Sequence, residues 1–268
     1  MPRGSLVVVG TGIRAGVQLT PETRIAIESA DLVLFLVAEP TTAETIARLN
    51  PAAESLHDLY EPGRERRLIY DAMVERILSP VRTGLAVCAA FYGHAGVFGT
   101  TAHRAVRQAR HEGFDAEMLP GVSALDCLFA DLGVDPGTHG CQCYEATSFL
   151  WHRPPVDTDA LLVLWQVSAI GRTDSITRAE LGELPSLVAR LLELYPPDRE
   201  VTCYEASPFP IGRPYIKRVP LSELAEEALP PLSTVVICPR DREAAGPAEA
   251  HSSSDRAPAA PTTLPLAE

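Results

Sequence analysis

The stretch LVVVGTGIRAGVQLTPETRIAIESADLVLFLV (6–37) decides the fold class. LVVVG (6–10) and DLVLFLV (31–37) are short apolar runs of the kind that form buried strands. Between them TPETRIAIESA (20–30) carries the marks of a helix, with Thr20 as its cap and Pro21 at the first helical position, where a missing N–H is no loss. Strand, helix and strand in that order make a βαβ unit, and the chain is expected to be α/β.

The pattern continues outward. RERRLIYDAMVERILSPVR (64–82) has apolar residues at helical spacing, LAVCAAFYG (85–93) is a strand running out at glycine, and TTAHRAVRQARHEG (100–113) is a helix closed by glycine. PGVSALDCLFADLG (120–133) reads as a turn and a short helix. After it, QCYEATSFL (142–150), ALLVLWQVS (160–168), VTCYEAS (201–207), YIKRVP (215–220) and STVVICP (233–239) are expected as longer, more loosely paired strands, interrupted by a helix at LPSLVARLLELY (184–195). These changes suggest subdomains at 1–119 and 120–240. Residues 241–268, rich in Ala, Pro and Ser with no Val, Ile or aromatic residue, are expected to be a disordered tail.

With 268 residues and 46% hydrophobic content the chain can bury a real core without disulfide or metal staples. Its formal net charge is -12, of which residues 241–268 contribute -3, so no basic face for nucleic acid is expected. The six cysteines are scattered, as suits reduced thiols in a cytosol, and Cys141 and Cys143 form a C-x-C with no second pair, so no metal site is expected. The first apolar run is too short for a signal peptide, and no run reaches membrane-span length. A cytoplasmic protein is the expectation.

Two glycine clusters end strands. VVVGTGIRAG (7–16) satisfies a loose G-x-G-x-x-G/A through Gly10, Gly12 and Ala15, and Glu39 stands where a ribose-binding acid could sit. A nicotinamide-binding fingerprint, however, opens its helix on the glycines, whereas here the helix waits until Thr20. The second cluster, FYGHAGVFG (91–99), places an aromatic pair, a histidine and three glycines where open α/β folds hold ligands.

SLVVVGTGI, DLY followed by GRERRLIYDAMV, then FYGHAGVF, LPGVSALDCLFADLGVDP, HGCQCYEATSF, LLVLWQVS and STVVICP occur in the order seen in borosin peptide backbone N-methyltransferases of the tetrapyrrole methylase superfamily. The resemblance covers residues 5 to 240. It implies a two-subdomain α/β enzyme with S-adenosylmethionine in the cleft between subdomains, the first carrying the catalytic helix and cofactor loops and the second completing the cleft. It implies a pocket of Tyr92, His94, Val97, Phe98, Ser123, Ala124, Gln166, Ser207, Ser233 and Thr234, beside the glycine turn of Gly10 and Gly12. It also implies a homodimer, possibly a heterotetramer with two precursor chains, and a dimer could cover the apolar segment FLWH (149–152).

An amide nitrogen is a poor nucleophile because its lone pair is delocalised into the carbonyl. Methylating it calls for a base for the N–H proton and donors for the charge growing on the oxygen. Arg66 and Tyr70 stand i, i+4 on one helix face and Tyr60 precedes them; a cation beside a phenol favours the phenolate. The resemblance gives catalytic roles to Tyr60, Arg66, Tyr70 and Tyr92: Tyr70 or Tyr60 as base, Arg66 as the tuning charge, Tyr92 positioning amide and methyl donor. On composition alone the same helix reads as solvated and basic.

Two departures stand out. Ala95 replaces the proline usual in YGHPG. Fused borosins carry a helical clasp and a hydrophobic core peptide after the catalytic domain, and residues 241–268 lack the expected Val, Ile and Gly run. A stand-alone enzyme acting on a separately encoded precursor is therefore expected, with a small-molecule methylase or a non-catalytic binding module as alternatives.

Overall fold

The computed structural model describes residues 4–61, 63–171 and 183–239; the expected tail at 241–268 lies outside them. The first half is a parallel sheet in the order β3-β2-β4-β1-β5, made of β1 (Ser5–Gly10), β2 (Leu32–Leu36), β3 (Ala53–Ser55), β4 (Ala86–Phe91) and β5 (Asp115–Met118). Alternation along the strands sends Leu6, Val8, Val87, Ala89 and Phe91 to one face, against α3 (Arg66–Arg82) and α4 (Thr100–His111). Val9, Val33, Cys88 and Ala90 go to the other, against α1 (Pro21–Ser29) and α2 (Pro40–Leu49). Helices cover both faces, as a parallel sheet requires.

The second half is a mixed sheet in the order β6-β7-β10-β8-β9, from β6 (Cys141–Glu145), β7 (Leu161–Trp165), β8 (Glu200–Glu205), β9 (Tyr215–Pro220) and β10 (Thr234–Ile237). Only β6 and β7 pair in parallel. Leu162, Leu164, Val235 and Ile237 face α7 (Ala146–His152) and α8 (Leu184–Leu192). Leu161, Val163, Trp165 and Val236 face α5 (Ala124–Leu132), which the short α6 (Pro136–His139) follows.

The expected α1 forms as read, with the Thr20 hydroxyl accepting from Thr23 N–H. Three readings change. The second-half strands are four to six residues long, no longer than those of the first sheet. QCYEATSFL is a strand only to Glu145, whose carboxylate accepts from Thr147 N–H at 3.0 Å and Ser148 N–H at 2.7 Å and starts α7. Phe149 is thereby fully buried in the second core, so of the FLWH segment Trp151, 65% exposed, and His152 stand on the surface.

Glu145→Ala removes the acceptor for two helix-end N–H groups. It should lower stability by about 1 kcal/mol in urea unfolding, with Glu145→Asp closer to wild type; an unchanged midpoint would show that α7 is set by the burial of Phe149 alone.

Candidate functional site

The carboxyl ends of β1 and β4 nearly touch the turn after β5. Gly12 and Gly93 exchange hydrogen bonds in a two-residue bridge, Gly12 N–H to Gly93 O at 3.2 Å and Gly93 N–H to Gly12 O at 3.0 Å. A Cβ at Gly10 would lie 2.3 Å from Gly93 O, and one at Gly121 would lie 3.0 Å from the Gly10 Cα. Gly10 and Gly121 thus allow a backbone contact that a side chain would block, and Gly93 turns at φ 69, where side chains are rarely tolerated. The segment after Gly10 crosses to the second half as a loop instead of opening a helix. The Gln18 side-chain carbonyl accepts from both Ile13 and Arg14 N–H at 2.8 Å, and Ala15 N–H reaches Pro208 O at 2.8 Å.

The residues expected in the pocket lie on the elements that meet at this junction. Tyr92 follows β4, anchored by its N–H to Leu36 O at 3.0 Å. His94 Nδ1 accepts from Gly96 N–H at 2.9 Å, which leaves Nε2 to carry the ring proton. Val97 and Phe98 are exposed by 40% and 46%. The Phe98 ring nonetheless meets Trp165 at 5.7 Å between centroids, joining the 91–99 loop to the end of β7. Ser123 caps α5 in a reciprocal box with Asp126, so its hydroxyl is already engaged, and Ala124 begins that helix. Gln166 follows Trp165 at φ 58. Two of the three non-glycine residues at positive φ among those described, Phe98 and Gln166, belong to this set, and strain of that kind gathers at functional sites.

The ring closes through the second sheet. Val167 N–H donates to Ser233 O at 3.2 Å, and Thr234 pairs with Tyr204. Ser207, three residues on from Tyr204, exchanges turn hydrogen bonds with Phe209, and the adjacent Pro208 carbonyl receives Ala15 N–H. Among the described residues Ser233 Oγ and Trp165 Nε1 are buried without a hydrogen-bond partner, as are Arg190 Nε and Tyr195 Oη in and after α8. Three contributors carried no local signal: Trp165, Glu205 and the Tyr204–Asp131–Arg14 chain. In that chain Tyr204 donates to Asp131 at 2.8 Å and Arg14 lies 3.7 Å from the same carboxylate, tying α5 to the crossing loop.

Tyr60, Arg66 and Tyr70 come together at the start of α3. Tyr60, 37% exposed, has its pKa raised by burial first and by Tyr70 second, with Arg66 pulling it down. The expectation that the cation wins is therefore reversed: burial outweighs Arg66 and holds Tyr60 as a phenol. Tyr92 stands apart electrostatically. Its pKa is raised by burial and then by Glu205, with Glu39 acting the same way from the first half, so the phenol holds its proton more tightly than a free tyrosine.

Gly10→Ala should cost about 2–4 kcal/mol in urea unfolding, and more than Gly121→Ala, because its Cβ meets a backbone oxygen. Equal midpoints for the two would contradict the close approach. The raised Tyr60 pKa means that the folded state keeps its phenolic proton longer than the unfolded chain. Its contribution is complete below about pH 10 and is lost as pH rises through the folded value. Stability should accordingly fall less steeply above about pH 10 in Tyr60→Phe than in wild type.

A family model described as Tetrapyrrole (Corrin/Porphyrin) Methylases matches residues 5–225. The chain is 40% identical over 245 residues to the methyltransferase/ribosomally synthesized cyclic peptide dendrothelin A precursor of Dendrothele bispora, covering 90% of this chain and 59% of that one. It is 41% identical over 224 residues to a methyltransferase/type I borosin cyclic peptide precursor of Coprinopsis marcescibilis, covering 82% and 57%. It is 39% identical over 246 residues to the omphalotin A precursor of Omphalotus olearius, covering 90% and 59%. The chain thus spans 57 to 59% of these relatives. Uroporphyrin-III-C-methyltransferase from Thermus thermophilus shares the fold, with a TM-score of 0.64 at 21% identity over 88% of this chain and 93% of that one. The chain belongs to the tetrapyrrole methylase family, and its sequence is similar to borosin-type methyltransferase precursors.

Proposed function

We propose that this chain is an S-adenosylmethionine-dependent methyltransferase acting on the backbone amides of a peptide. The observation that carries the reading is the pairing of two constellations: a ring of strand ends built for close ligand approach, and a separate Tyr60–Arg66–Tyr70 set with the groups an amide demands. The relatives, named as methyltransferases joined to cyclic-peptide precursors, support the peptide as substrate.

The ring suits the cofactor on chemical grounds. Ser233 Oγ and Trp165 Nε1 are buried polar atoms lacking partners, and such atoms suit a ligand rich in hydroxyl, amine and carboxylate groups. Tyr92, His94, Ser207, Ser233 and Thr234 would hold it by hydrogen bonds, Val97, Phe98 and Ala124 by apolar contact, and Gln166 by its strained backbone; Ser123 contributes by fixing α5. When bound, S-adenosylmethionine supplies the methyl group on a sulfonium.

The protein's own residues then handle the amide. A tyrosine oxygen of the 60–70 set takes the N–H proton. Arg66 meets the charge that builds on the carbonyl oxygen and offsets the burial that opposes ionisation of Tyr60. Tyr92, kept protonated, donates a hydrogen bond that aligns amide and methyl donor. Residues 241–268 contain no Val or Ile, and we propose that the methylated backbone lies outside them and that the chain acts as a homodimer.

The test is incubation of the full chain with cofactor and a Val- and Ile-rich precursor peptide, with tandem mass spectrometry of the product. Wild type should give peptides heavier by methyl groups located on backbone amides. Tyr70→Phe and Arg66→Ala should lose on the order of 10²-fold or more of that rate with cofactor saturating, while calorimetric cofactor affinity stays near wild type. Losses below about tenfold in both would remove the amide mechanism and leave a small-molecule methylase in its place.

A further inference from the structure

We propose that the Glu205 carboxylate makes the cleft charge-selective, favouring the cationic methyl donor over the neutral thioether left after transfer. This rests on the cofactor assignment above and extends it to a residue that the family resemblance did not mark.

Glu205 ends β8 and is half-buried. Its Oε2 accepts Leu232 N–H at 2.9 Å. That bond ties the segment leading to Ser207 to the segment leading to Ser233. Among the described residues no Lys, Arg or His is within ion-pair distance of Glu205, although ion pairs are plentiful elsewhere on the surface. Its charge acts on the Tyr92 phenol, as that of Glu39 does more weakly. Ser233, next to the residue that Glu205 holds, carries the fully buried hydroxyl with no partner.

A half-buried carboxylate with one backbone donor and no countercation is poorly compensated, and its field is weakly screened. Methyl transfer moves CH3 from the sulfonium to the amide nitrogen, whose proton passes to the tyrosine base. The sulfur keeps the electron pair of the broken bond and becomes a neutral thioether. The unit of positive charge that Glu205 attracts therefore disappears from the cofactor as the reaction completes, which loosens the product without any movement of the protein.

Glu205→Gln tests this, because the amide oxygen still accepts Leu232 N–H while the charge is gone. Affinities of the full chain are measured by calorimetry for three probes of one shape: S-adenosylmethionine with a sulfonium, sinefungin with an ammonium in its place, and S-adenosylhomocysteine with a neutral thioether. Glu205→Gln should weaken the two cationic probes by about tenfold or more and leave the neutral one within about twofold. Equal weakening of all three would reduce Glu205 to a scaffold contact and overturn the proposal, as would unchanged affinity for all three. Wild type binding none of the probes would instead overturn the cofactor assignment itself.

Discussion

The structure depends on the absence of a Cβ at Gly10 and Gly121 and on a left-handed glycine at Gly93. Gly10, Gly93 and Gly121 let the ends of β1 and β4 and the turn after β5 lie in backbone contact. That contact gives the chain beyond Gly10 its direction, across the strand ends and toward the second sheet. A nucleotide fold that opens a helix at this point would present an N-terminus to a pyrophosphate. Here the same residues build a crossing loop, locked by Gln18 and by Ala15 N–H on Pro208, and the two halves meet around it. The meeting of the two sheets around the crossing loop follows from this backbone arrangement more than from any single polar residue.

The electrostatics divide the proposed work between two places. The ring carries carboxylates, phenols and hydroxyls, with Glu205 and Glu39 both raising the pKa of Tyr92. The cation belongs to the other place, at the start of α3, where Arg66 works against the burial of Tyr60. A site that must attract a sulfonium gains from the first arrangement, and a site that must steady an imidate-like oxygen gains from the second. Merging them would set Arg66 against the incoming donor.

Much of this was legible in the sequence. The βαβ unit could be read from residues 6–37, because apolar runs and the Thr20–Pro21 cap are local signals. The start of α7 leaves no strand-breaking signal in QCYEATSFL, because it is fixed by the Glu145 side chain folding back onto Thr147 and Ser148 and the Gln-Cys-Tyr opening suits a strand. The helix α2 hid behind Glu39, which attracted attention as a ribose acid though its neighbour Pro40 opens a helix. In the site, motif order located the glycine turns and the FYGHAGVF loop. Long-range partners left no local trace: Trp165 against Phe98, Asp131 between Tyr204 and Arg14, and Glu205 on Leu232 are pairs made by folding. The sign of the Tyr60 shift was also beyond sequence, because spacing gives the neighbouring cation but not the depth of burial.

The most direct test of the central claim, that the ring of strand ends is a ligand site, reads Trp165 from inside it. The chain has two tryptophans, and replacing the exposed Trp151 by Phe leaves Trp165 as the only one. Titrating that variant with S-adenosylhomocysteine while following tryptophan fluorescence should give a saturable change, with a midpoint equal to the calorimetric dissociation constant. Calorimetric binding with no change in Trp165 emission would place the ligand elsewhere and contradict the account.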